Sequence, residues 1–260
     1  MLSIGGWAND ATYGVRLYWP DGTPGVWGTN DWQENVLEVH LEAGRWYPSA
    51  MVMANGSILV VGGEEGSNGA PIPSLEVLPL PSGSGTVYCD YLDRTDPYNL
   101  YPYLAVLPSG GIFVAYYNEA RILNEVTLQT QEVLPNIPGA VNDFLGGRTY
   151  PFEGTAVLMP QYAPYSDPLT VMICGGSVPG PEIALDNCVS LQPEVNNANW
   201  TIERMVSHLP SLFFMPSLKR STALQACHLQ HLRPSRRNLH DHERRTTRPR
   251  RLRSRHRTQP

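Results

Sequence analysis

The sequence predicts an all-β fold, a partial β-propeller, from three recurrences. A Tyr-Pro step returns at residues 47, 101 and 150, spaced 54 and 49 residues apart. Each step precedes an apolar run, a turn and a second apolar run, and Gly-Gly steps close such runs at 62–63 and 175–176. Small antiparallel sheets repeating every ~50 residues are the kelch type of propeller. A chain with 23 Gly, 24 Pro, 13 Tyr and 6 Trp favours strands and turns over helices.

In chain order, Met1-Leu2-Ser3-Ile4 before Gly5-Gly6 reads as the last half of an inner strand without its hairpin partner, so Met1 is expected to be an internal methionine of a longer protein. The first complete copy has runs 50–54 and 58–61 joined through Asn55-Gly56, a dipeptide suited to the positive φ angles of a tight hairpin turn. The second has runs 104–107 and 112–115 around Pro108-Ser109-Gly110-Gly111, and the third has runs 155–159 and 169–174 around a longer Pro/Tyr loop. The runs are nearly continuous in apolar residues, which predicts sheets covered on both faces, as stacked blades require. About three and a half blades result. An immunoglobulin-like sandwich is the competing fold, but it leaves the Tyr-Pro repeat unexplained.

Charge divides the chain. Residues 1–205 hold six arginines, no lysine and 22 of the 24 acidic residues, a formal charge of −16. Residues 206–260 hold the other 13 basic residues against Asp241 and Glu243, or +11, with six of the seven histidines. The acidic body argues against nucleic acid or an anionic membrane as partner. No apolar stretch reaches the ~20 residues of a membrane span, and no signal-peptide pattern opens the chain. The tail, which cannot form a core, is expected to be disordered. It has three readings: translation of unspliced or out-of-frame sequence; a basic arm; or a metal patch on Cys227, His228, His231, His240 and His242, whose spacing matches no known site. Cys174 and Cys188 flank a Gly/Pro-rich turn, and their spacing suits a short-loop disulfide and buried free thiols alike; a disulfide would imply an oxidising compartment. Sequons at Asn55 and Asn199 permit glycosylation.

The segment Arg45-Trp46-Tyr47-Pro48-Ser49, followed by Asn55-Gly56-Ser57-Ile58-Leu59-Val60-Val61-Gly62-Gly63, resembles the signature hairpin of fungal glyoxal oxidase, a copper radical oxidase related to galactose oxidase. Gly147-Arg148-Thr149-Tyr150-Pro151, Ile173-Cys174-Gly175-Gly176-Ser177, Ala184-Leu185-Asp186-Asn187-Cys188-Val189 and Trp200-Thr201-Ile202-Glu203-Arg204-Met205 continue the likeness in the family's order across residues 1–205. The resemblance implies about three to four of seven blades over 1–205, truncated at both ends, and a basic tail over 206–260. It implies a secreted, monomeric enzyme that oxidises small aldehydes to carboxylic acids while reducing O2 to H2O2. It implies copper held by two histidines and two tyrosines, one tyrosine joined by a thioether to a cysteine and carrying a radical.

Carried over residue by residue, that set leaves Tyr47 alone, at the position of the cross-linked radical tyrosine. The partner cysteine, the second tyrosine and both histidines would belong to segments outside the chain, so Tyr47 would bind copper only in a site completed by them, and the chain by itself is expected to be inactive. Read from the repeat without the family, Tyr47 is a packing residue like Tyr101 and Tyr150, held extended before proline and placed between blades. A non-catalytic kelch-like binding module, using loop tips such as Glu64 to Pro73 for a partner or glycan, is the alternative function.

Overall fold

The computed structural model describes residues 1–80, 85–139, 146–178 and 184–205; the basic tail expected over 206–260, with Cys227 and the tail histidines, lies outside them. Among the described residues the chain is all-β, with one helical turn, α1 (Asp90–Asp93), and a 3-10 turn over Asn9–Tyr13. Four antiparallel sheets follow one another. The first pairs β1 (Leu2–Ile4) with β2 (Val15–Leu17). The second orders β3 (Ser49–Val52), β4 (Ile58–Val61), β5 (Ser74–Leu78) and β6 (Val87–Tyr88). The third orders β7 (Tyr103–Val106), β8 (Gly111–Tyr116), β9 (Glu119–Asn124) and β10 (Thr130–Val133). The fourth orders β11 (Thr155–Leu158), β12 (Val171–Cys174), β13 (Asn187–Leu191) and β14 (Thr201–Arg204). No sheet closes into a barrel among these residues, and the series is that of a partial propeller.

Alternation explains the continuous apolar runs. On β4, Leu59 and Val61 pack with Ile112, Val114 and Leu123 of the next sheet, while Ile58 and Val60 pack backward with Val15, Leu41 and Ile4. On β8, Ile112, Val114 and Tyr116 face the sheet before, and Phe113 and Ala115 face Val171, Ile173 and Val189 of the sheet after. The period-2 pleat thus sends successive side chains into two different interfaces, both apolar. Each such fully buried Leu, Ile or Val contributes about 1.5–3 kcal/mol relative to an exposed one. Coverage on both faces holds for the two middle strands and fails at the margins. Strands β10 and β14 are exposed throughout, and β11 nearly so; each is an edge strand of its sheet.

Turn chemistry sets the register. In the first complete blade Gly56 N–H donates to Met53 O at 3.0 Å and Met53 N–H to Ser57 O at 2.8 Å. In the next, Gly110 and Leu107 repeat the pattern at 2.9 and 2.8 Å. Only the glycines take positive φ, 85° and 90°, so each turn is a type I turn followed by a left-handed glycine, not the two-residue turn with both central residues left-handed that Asn55-Gly56 suggests. The Gly-Gly steps are equivalent in three dimensions. Gly5, Gly62 and Gly175 have φ of 73°, 66° and 70°, and their N–H groups donate to Gly14 O, Ser74 O and Asn187 O.

Candidate active site

The Tyr-Pro repeat converges. The ring of Tyr47 lies 4.7 Å from that of Tyr101 and 4.9 Å from that of Tyr150, and Tyr101 and Tyr150 are 6.1 Å apart, edge to face. Trp46 stacks on Tyr47 at 4.3 Å and 22°. Main-chain bonds link the three positions: Tyr101 N–H donates to Tyr47 O at 3.2 Å, and Tyr150 N–H to Leu100 O at 3.1 Å. Tyr47 and Tyr101 are not extended before their prolines. Their φ angles are 59° and 51°, in the left-handed region, and the three rings gather on one another where the sequence suggests separate packing between blades. Tyr47 and Tyr150 are half-buried and Tyr101 is 43% exposed.

Two buried arginines hold this corner. Arg45, two residues before Tyr47, is fully buried. Its Nε donates to Glu76 Oε1 at 2.6 Å, its Nη1 to Gly62 O at 2.7 Å and Ser74 O at 3.1 Å, and its Nη2 to Ser74 Oγ at 2.9 Å. Burial lowers the pKa of this guanidinium, and the Glu76 carboxylate acts against that shift. Arg148, two residues before Tyr150, is also fully buried. Its Nη1 donates to Gly175 O, and its Nη2 donates to Asn187 Oδ1 at 2.7 Å and Pro138 O at 2.6 Å. Its Nε has no partner, and burial pulls its pKa down to about 10.

Carboxyl groups flank the tyrosines. Glu64 follows the Gly62-Gly63 step, is 4% exposed, and exchanges both main-chain bonds with Trp46, at 2.7 and 2.8 Å. Burial, and then the nearby Asp96, raises its pKa; burial and Asp93 raise that of Asp96, whose Oδ1 is buried without a partner. The Tyr150 phenol is raised by the adjacent Tyr47 and by the hydrogen bond the two share, and that of Tyr101 by burial and then by both neighbouring phenols. Glu64, Asp96, Tyr101 and Tyr150 are therefore held protonated more strongly than in water.

The structure brings the one sequence-assigned residue, Tyr47, together with Trp46, Tyr101, Tyr150, Glu64 and Asp96. The repeat marks the three tyrosines as equivalent positions, and their convergence is a finding of the structure. Glu64 had no signal beyond its place after Gly-Gly. Copper(II) takes tetragonal nitrogen and oxygen donors. The donors gathered at Tyr47 are phenols and carboxyls, His40 is exposed on another segment, and no group of three or more His, Cys, Asp or Glu could hold a metal among the described residues. These residues do not by themselves fit the ion. Cys174 and Cys188, directly opposed across β12 and β13, are disulfide-bonded, while Cys89 is buried and free. No helix among the described residues is long and apolar enough to cross a membrane.

A protein family described as "Glyoxal oxidase N-terminus" matches residues 1–215. The chain is 65% identical over 206 residues to a WSC domain-containing protein of Arthroderma benhamiae, covering 79% of this chain and 22% of that protein. It is 30% identical over 171 residues to Aldehyde oxidase GLOX of Vitis pseudoreticulata, covering 65% and 29%, and 28% identical over 145 residues to Aldehyde oxidase GLOX1 of Arabidopsis thaliana, covering 53% and 22%. The chain thus spans less than a third of the length of these relatives.

Proposed function

Because the chain belongs to the glyoxal oxidase N-terminal family, we propose that it carries the radical-tyrosine corner of a secreted copper oxidase acting on small aldehydes. The reaction is RCHO + O2 + H2O → RCOOH + H2O2, two electrons passing from the aldehyde to dioxygen. The observation that carries this reading is Tyr47 in its Arg-Trp-Tyr-Pro segment, stacked by Trp46 and anchored through Arg45. In this reading residues 1–205 are the partial propeller domain and 206–260 a separate basic segment. Tyr47 is a copper ligand only in a site whose other ligands come from outside the described residues. This chain's own residues orient the phenol: Arg45 fixes the strand entry, Trp46 stacks on the ring, and Tyr101 and Tyr150 pack against it. The Cys174–Cys188 disulfide supports an oxidising, extracellular setting. Monomeric behaviour is proposed with it.

Two measurements test the reading. The 260-residue chain with added copper should release no peroxide from glyoxal or methylglyoxal, and turnover by it would refute its proposed dependence on other segments. Residues 1–205 grafted in place of the matching segment of the Arthroderma benhamiae relative should support peroxide release, lost in Tyr47→Phe and kept in Tyr101→Phe. Activity that survives Tyr47→Phe removes the role assigned to Tyr47. An unmodified relative that makes no peroxide removes the oxidase reading itself.

A further inference from the structure

Four of the six tryptophans fall within the first 32 residues, and all four are exposed, from 39% at Trp32 to 94% at Trp27. One of them, Trp7, lines a cleft of ≈ 1060 Å³ with Tyr13. This is the broad end of the range for small-ligand sites, roughly 300–1,000 Å³. The cleft lies away from the tyrosine trio, between the 3-10 turn over Asn9–Tyr13, the segment 42–44 and the loop 65–67.

The cleft is held by main-chain bonds. Arg45 N–H donates to Thr12 O, Leu41 N–H to Tyr13 O and Gly6 N–H to Arg45 O, at 2.9, 2.9 and 3.1 Å. The turn is closed by Thr12 Oγ1 donating to Asn9 O at 2.7 Å. Gly66 lets the loop approach Trp7 closely, since a Cβ there would lie 3.0 Å from Trp7 O, and its φ of 91° suits glycine. The lining carries three carboxylates and, beside them, neutral donors only: the Trp7 indole, the Asn9 amide and the Thr12, Tyr13 and Ser67 hydroxyls. Asp10, Glu42 and Glu65 are exposed, have no ion-pair partner among the described residues, and come from three separate segments; the lining includes no Lys, Arg or His. Its two large side chains, Trp7 at 66% and Tyr13 at 43% exposure, are flat rings that a ligand could cover.

We infer that this cleft binds a neutral saccharide of about two or three rings. A sugar supplies both complements: C–H faces that lie on indole and phenol rings, and several hydroxyl donors that dispersed carboxylates accept together. A compact organic cation would concentrate its donors at one point and serve at most one or two of the three segments. The inference stands apart from the oxidase reading, because none of the residues that line the cleft belongs to the tyrosine corner and its test reads binding, not turnover.

Isothermal titration of the 260-residue chain with cellotriose, maltotriose and triacetylchitotriose, with spermidine as the cationic comparison, decides it. One trisaccharide should saturate with a dissociation constant of about 1 mM or tighter. Trp7→Ala should weaken it by about tenfold or more and Glu65→Gln by less. Trp27→Ala, at a more exposed indole outside the cleft lining, should leave it unchanged and serves with circular dichroism as the folding control. No trisaccharide bound at that level, binding indifferent to Trp7→Ala, or spermidine bound more tightly than every sugar would each overturn the inference.

Discussion

Arg45 and Arg148 perform one geometric task with two different chemistries. Register makes them equivalent: Gly62 N–H meets Ser74 O as Gly175 N–H meets Asn187 O, so Ser74 corresponds to Asn187 and Glu76 to Val189. Arg45 therefore finds a carboxylate on its Nε, while Arg148 finds a valine there and its Nε is unpartnered. The same register sets the apolar pair Val61–Leu75 of one blade against the disulfide Cys174–Cys188 of the other. One blade neutralises its buried charge directly. The other solvates it with carbonyl groups and has a covalent cross-link beside it. A repeat can thus conserve position while exchanging the interaction that secures it.

The largest effect expected from this contrast is on removing the guanidinium. Arg45→Met strands the buried Glu76 carboxylate and should destabilise the chain by about 3–5 kcal/mol in urea unfolding. Arg148→Met strands only carbonyls and should be clearly milder; equal losses would mean that the carboxylate is not what separates the two blades. Reducing the disulfide should lower stability by about 3 kcal/mol for a loop of this length. The double variant Cys174→Val, Cys188→Leu, which installs the apolar pair of the sister blade, should recover part of that loss and make thermal unfolding insensitive to reductant.

Smaller still is the coupling across the missing carboxylate. In a double-mutant cycle, Val189→Glu should be tolerated better with Arg148 present than in Arg148→Met, by about 0.5–3 kcal/mol. No coupling would place Val189 out of reach of the guanidinium. The smallest effect is at the residue after each Gly-Gly step, Glu64 in one blade and Ser177 in the other. A carboxyl whose folded pKa is raised binds its proton more tightly in the folded state. Its stabilising contribution is therefore present at acid pH and lost as pH climbs through the raised value. Glu64→Gln should raise the melting temperature at neutral pH more than at pH 4 and flatten the pH profile, whereas Ser177→Ala should leave the profile unchanged.

Much of this was legible in the sequence, for identifiable reasons. The hairpins at 55–56 and 108–111 were readable because glycine is needed at their left-handed positions, and β4, β8 and β12 because buried strands carry unbroken apolar runs. Strands β6, β10 and β14 were not, being short, exposed and free of periodic signal. Tyr47 was found through its segment and its companions Tyr101 and Tyr150 through the repeat. Their meeting depends on left-handed backbone at Tyr47 and Tyr101, which a following proline argues against. The unpartnered Nε of Arg148 follows from the valine at 189, where the sister blade has Glu76, a consequence of strand register across 41 positions that no local pattern encodes.

The tyrosine corner is joined from blade to blade through peptide groups, Tyr101 to Tyr47 and Tyr150 to Leu100. Those links use no side-chain atom. The meeting point is therefore secured by backbone that exchanging one aromatic ring for another at Tyr47, Tyr101 or Tyr150 leaves in place, so the chemistry carried at the corner and the frame that carries it are separable.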